Sequence, residues 1–219
     1  SSMLFGSFGD MFLWNFNRIS YISDLHLMHR IKNAGCKSKE DVVFTIKKII
    51  DDILAESTSL TLIGGDVSSE FSIFELFVKM LRKLAGSGRR TFVFVLGNHE
   101  LWNFPGLSVD EIVDKYRTVL KENGMYLLHN DLFYRNESDD MGIIPYDELI
   151  QSDNPAILEK LRCTRLVILG GLGFSGYNEE FNANDGVYRA TVDRNTEIQE
   201  SKKFEQLYDK LTDVLARSE

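Results

Sequence analysis

Three times along this chain a short, β-rich apolar run stops and delivers side chains able to hold a metal. The stretches are Arg18-Ile-Ser-Tyr-Ile-Ser-Asp24-Leu-His26, Leu60-Thr-Leu-Ile-Gly-Gly-Asp66 and Thr91-Phe-Val-Phe-Val-Leu-Gly-Asn98-His99-Glu100. Apolar runs of this length, bounded by glycine or polar residues, read as buried strands. Between the first and second lies a helical pattern over 39–55, and between the second and third another over 70–84. Strand, helix, strand, helix, strand predicts βαβ units and a mainly parallel sheet with helices outside it. Ligands of such sheets gather at the carboxyl ends of the strands. The three polar clusters are therefore expected at one sheet edge, as one site.

The rest of the chain reads as follows. Met11–Asn15, in an aromatic N-terminal stretch, is a candidate edge strand or docking segment, and 29–39 reads as a basic loop. Ser38 is placed to cap the 39–55 helix with Asp41 three residues on. Val42, Val43, Ile46, Ile49, Ile50, Ile53 and Leu54 give that helix one apolar face. The 70–84 helix ends at Gly86 and Gly88. A third helix starts at the capping box Ser108-Val-Asp-Glu111 and closes at Asn123-Gly124. Met125–Leu128 and Leu132–Arg135 read as a hairpin around Asn130-Asp131, the start of a second sheet. A charged loop with Asp139 and Asp140, a short helix near Asn154-Pro155, a strand over 165–169 and a polar loop over 170–191 follow. An amphipathic helix over 196–216 closes the chain.

With 219 residues, only 3 prolines and no internal repeat, the chain is expected to form one domain over 1–219. The net charge of −8 disfavours a large polyanionic partner, so nucleic acid is an unfavoured ligand, although a local groove stays open. Cys36 and Cys163 stand far apart and outside any Cys-x-x-Cys pattern, which fits a reducing compartment rather than a disulfide framework. No apolar run approaches the roughly 20 residues of a membrane span, and no basic region leads into a hydrophobic signal core. A soluble cytoplasmic protein, with no membrane partner, is the expectation.

Carboxylates and imidazoles at adjacent strand ends suit hard-to-borderline divalent ions such as Mn, Fe or Zn. Two such ions clamp a phosphoryl group and acidify a water between them. At this point the motifs resemble those of the calcineurin-like metallophosphoesterases: Asp-x-His, then Gly-Asp, then Gly-Asn-His-Asp or Glu. They stand here as Asp24-Leu-His26, Gly65-Asp66 and Gly97-Asn98-His99-Glu100, in that order. The resemblance implies an α/β fold, an αββα sandwich of two mainly parallel or mixed sheets flanked by helices. It implies two divalent metal ions (Mn, Fe or Zn) and phosphoester hydrolysis by a hydroxide held between them. Asp24 and His26 would bind the first metal, Asp66 would bridge, and Asn98 would bind the second. His99 would protonate the leaving oxygen or steady the phosphate, and Glu100 would orient His99.

The family completes its metal shell with a later histidine and then a Gly-His-x-His element. The four histidines here are His26, His29, His99 and His129, which implies that these residues are the front part of a longer domain. Two alternatives follow: a non-catalytic interaction module that keeps the fold with an incomplete metal site, and a metal-dependent nuclease. The expected substrate is a phosphorylated small molecule, a nucleotide or a phosphoprotein, and the oligomeric state is open. His29 reads as a phosphate contact or a solvated loop histidine, and His129 as a turn-side or packing histidine, with a ligand role as the less favoured alternative. Trp102 and Phe104 read either as a stacking surface for a base or aryl leaving group or as loop anchors. Tyr177, Asn178, Asn182, Asn184 and Arg189 read as cleft lining or as plain surface.

Overall fold

A computed structural model describes residues 19–86, 90–138, 140–172 and 192–217. They gather into two compact units, one over 19–127 and the other over 128–172 and 192–217. The expectations for Met11–Asn15, for Gly88 and for Tyr177, Asn178, Asn182, Asn184 and Arg189 lie outside the described residues.

In the first unit, strands β1 (Ile19–Ile22), β2 (Leu60–Ile63), β3 (Thr91–Phe94) and β4 (Tyr126–Leu127) form a parallel sheet in that order. Burial of nearly every strand residue, including Leu60, Ile63, Phe92 and Phe94, explains why the runs read as continuously apolar. The crossovers are α1 (Leu27–Asn33) with α2 (Lys39–Glu56), then α3 (Phe71–Ala85), then α4 (Asn98–Leu101) with α5 (Val109–Glu122).

The helix signals were physical ones. The Ser38 hydroxyl accepts the Asp41 N–H at 3.1 Å. The Ser108–Glu111 box closes in both directions, at 3.2 and 2.8 Å. Gly86 ends α3 in the left-handed region, at φ 75°. The apolar stripe of α2 is narrower than its sequence suggests: Ile46, Ile50 and Ile53 are buried, whereas Val43 is 40% exposed.

Two readings are corrected in this region. The stretch 29–39 is not all loop, because α1 occupies 27–33. Seven residues with one buried side chain, Leu27, carry no readable helical period. Met125–Leu128 is not half of a hairpin. Its core, β4, follows the α5 crossover and pairs parallel with β3, Val93 opposite Tyr126 and Phe94 opposite Leu127. The βαβ rule outweighs the turn signal of Asn130-Asp131, and Asn130 adopts φ 54°.

The second unit holds an antiparallel sheet of β5 (Asp131–Asn136), β6 (Met141–Ile144) and β7 (Thr164–Gly170), in the order β6-β5-β7. The expected charged loop after Asp139 thus contains a strand, and a helix, α6 (Tyr146–Gln151), follows it. Helices α7 (Asn154–Leu161) and α8 (Arg194–Ala216) complete the unit. Leu132, Ile144, Leu149, Ile157, Leu161, Leu207, Leu211 and Val214 form its core. The His129 ring nitrogen stands 2.9 Å from Glu200, with both side chains nearly buried. The fold class is therefore α/β, with one parallel and one antiparallel sheet. No described helix is long and apolar enough to cross a membrane.

Candidate metal centre

The loops leaving β1, β2 and β3 are bonded into one body. Past the strand ends, the Asp24 N–H donates to the Gly65 carbonyl at 3.1 Å, His26 to Asp66 at 2.9 Å and Leu27 to Val67 at 2.9 Å. These bonds continue the β1–β2 ladder into the first two motifs. The third loop is joined by side chains. Asp66 Oδ1 accepts the His99 N–H at 3.1 Å, supplying the cap that Gly97, at the N-cap of α4, has no side chain to give. This closeness is why glycine is required: a methyl at Gly97 would stand 2.1 Å from Asp66 Oδ1. One at Gly65, where φ is +95°, would meet the Gly97 nitrogen at 2.8 Å.

Backbone strain concentrates at the expected ligands. Asp24 (φ 57°), His26 (φ 43°) and Asp66 (φ 52°) all lie in the left-handed region. A non-glycine residue there is uncommon, and each such residue costs on the order of 1 kcal/mol or more, held in place by its surroundings. Three in two short loops mark a place where side-chain direction outweighs backbone comfort. Asp24 is also held from outside: the buried Ser23 hydroxyl donates to Asp24 Oδ2 at 2.6 Å. That contact was not read from the sequence, where Ser23 looked like an ordinary strand residue.

The structure brings His26, Asp66 and His99 together, each offering a ligand atom within 4.8 Å of the others. Asp24 Oδ1 stands 3.6 Å from His26 Nε2, and both side chains are about one-third exposed. Asn98 is the first residue of α4, directly before His99. The His99 ring lies closer to the ligand atoms than an acid standing apart from the metal shell would suggest. His29, on α1 rather than in a loop, meets His26 edge to face with ring centroids 5.9 Å apart.

Glu100 takes a different place from the one expected. Instead of reaching the His99 ring, its carboxylate accepts backbone N–H bonds from Val67 at 2.7 Å, Gly97 at 3.0 Å and Asp66 at 3.2 Å. It is fully buried. The Tyr116 hydroxyl donates to its carbonyl oxygen at 3.0 Å. Glu100 therefore clasps the second and third loops to each other.

Burial, and then the negative charge of Asp66, push the Glu100 carboxyl from about 4.5 up to about 7, against the pull of the N–H groups of Val67 and Gly97. The sign follows directly. Between pH 4.5 and 7 the folded metal-free chain holds a proton that the unfolded chain has released, so stability falls as pH rises through that window, by about 3 kcal/mol. Chemical denaturation of the metal-free protein at pH 5 and pH 7 is expected to show this loss, and Glu100→Gln, which cannot titrate, is expected to flatten it.

A divalent cation fits this donor set. Carboxylate oxygens and imidazole nitrogens converge, and the repulsion between Asp66 and Glu100 is relieved by positive charge. The fold and the donors together define an α/β metal site at the edge of a parallel sheet. The chain belongs to the calcineurin-like phosphoesterases, whose family model matches residues 18–213, and it is accordingly a metal-dependent hydrolase of that superfamily. Comparisons with curated proteins and with solved structures gave no match.

Proposed function

We propose that the protein hydrolyses a phosphoester with two divalent ions held at this sheet edge, Asp24 and His26 on the first, Asp66 between the two and Asn98 on the second. The observation that carries the reading is the convergence of His26, Asp66 and His99 on strained and mutually bonded loops. When bound, the ions supply positive charge for the phosphoryl oxygens and acidify a water. Asp66, capped onto α4, fixes the distance between the second loop and the third.

In the reaction the bond between phosphorus and the leaving oxygen breaks, and one to a water oxygen forms. The leaving oxygen needs a proton, and that role is assigned to the His99 imidazole N–H. Ser23 steadies Asp24, and Glu100 holds the second and third loops together. The substrate is a phosphorylated small molecule, a nucleotide or a phosphoprotein, as a monoester or a diester.

His99→Ala tests the acid. The variant is expected to retain metal and to lose about 10²-fold in kcat. Its loss should be larger on phenyl phosphate than on p-nitrophenyl phosphate, whose leaving group needs less protonation. An unchanged kcat on both substrates contradicts the assignment.

A further inference from the structure

The segment just after His99 separates two jobs that its sequence runs together. Trp102, the C-cap of α4, faces the imidazole of His99: the ring centroids are 3.8 Å apart at an interplanar angle of 37°. His26 meets the same imidazole edge to face, at 4.7 Å and 69°. The His99 ring is thus in contact with an indole and with the ring of an expected metal ligand. The Trp102 backbone N–H also donates to the His99 carbonyl at 3.3 Å.

Phe104 does something else. It packs edge to face on Phe71 at 5.4 Å and on Tyr116 at 6.2 Å, inside the aromatic cluster under α3 and α5. Between the two, Asn103 Oδ1 accepts the Phe71 N–H at 2.6 Å and so caps α3. Asn103 and Phe104 therefore pin the segment to the fold, while the indole of Trp102 lies against His99.

We propose that Trp102 is a positioning residue that holds the His99 imidazole in the rotamer that delivers its proton to the leaving oxygen. The inference rests on the acid role of His99 proposed above. A ring packed against two others is restricted in orientation, and misplacing a reacting group by about 1 Å costs up to about 10²-fold in rate. An aliphatic side chain gives His99 no flat surface to lie against, whereas phenylalanine restores one. The effect should therefore appear in kcat rather than KM, and in proportion to how much the leaving group needs its proton.

The test compares Trp102→Leu, Trp102→Phe and His99→Ala, each as the full chain. The first reading is proton NMR of the metal-free protein, with the ring resonances of His99 assigned by their loss in His99→Ala. The indole displaces these resonances, and they are expected to move toward free-imidazole positions in Trp102→Leu and much less in Trp102→Phe. The second reading is kinetics with manganese. Trp102→Leu is expected to lose about 10- to 100-fold in kcat on phenyl phosphate, with a smaller loss on p-nitrophenyl phosphate, an unchanged KM and an unchanged thermal midpoint. Trp102→Phe should recover most of the rate.

Unmoved His99 resonances in Trp102→Leu overturn the proposal. So does a wild-type rate in that variant when His99→Ala shows the leaving-group pattern. An equal loss on both substrates with a lowered midpoint also overturns it, by making Trp102 a packing residue. If His99→Ala itself shows no leaving-group pattern, the acid role falls, and the resonance shifts still decide whether Trp102 orients the ring.

Discussion

Asp66→Asn is expected to leave the fold standing while hydrolysis falls to background. The substitution keeps the shape and keeps an oxygen for the His99 N–H, so the cap of α4 by Asp66 Oδ1 survives. The charge is lost, and with it the carboxylate assigned to lie between the two ions. Removing one preorganised charge at a reacting phosphoryl group costs at least about 10²- to 10³-fold in kcat. A thermal midpoint near that of the wild type, together with turnover lost on every phosphoester tried, is the expected pair of results. Wild-type turnover in this variant contradicts the mechanism.

Glu100→Ala is expected to be the most destabilising single change at the site. Its carboxylate satisfies the buried N–H groups of Asp66, Val67 and Gly97. Each orphaned buried donor costs about 1–3 kcal/mol, so the total is on the order of 4 kcal/mol against a typical stability of about 5–15 kcal/mol. For a chain of this size that lowers the midpoint by roughly 10 °C or more. Because the clasp holds Asp66 and His99 in register, metal affinity should fall with stability. A midpoint within about 2 °C of the wild type would show that Glu100 does not hold the two loops together.

The contrast between these two residues shows what the sequence carries and what it does not. The place of Asp66 at a strand end was legible because an apolar strand followed by Gly-Gly-Asp leaves the carboxylate there, a position that local pattern alone defines. The first three strands and the capped starts of α2 and α5 were readable for the same reason: Ser38 with Asp41, and Ser108 with Glu111, act within one turn. Glu100 was expected to orient His99, whereas its carboxylate accepts the N–H groups of Asp66, Val67 and Gly97. Its partners lie one loop away, and which N–H groups it meets depends on how closely the loops approach, which the glycines at 65 and 97 permit but do not announce.

Longer-range choices were hidden in the same way. The pairing of β4 with β3 rather than β5 follows from the α5 crossover, not from the residues at the turn. Helix α1 is too short to show a period. Ser23 beside Asp24, and Trp102 against His99, are contacts between side chains whose spacing is readable but whose orientation is set by the positive φ angles of Asp24 and His26 and by the short helix α4.

The central claim is that this sheet edge holds divalent metal through Asp66, and the most direct test is metal content per chain. Wild-type protein and Asp66→Asn would each be loaded with manganese, desalted and measured by elemental analysis. The account predicts at least one ion per chain in the wild type and its loss in the variant. A wild type that retains none, or a variant that retains as much as the wild type, would contradict it.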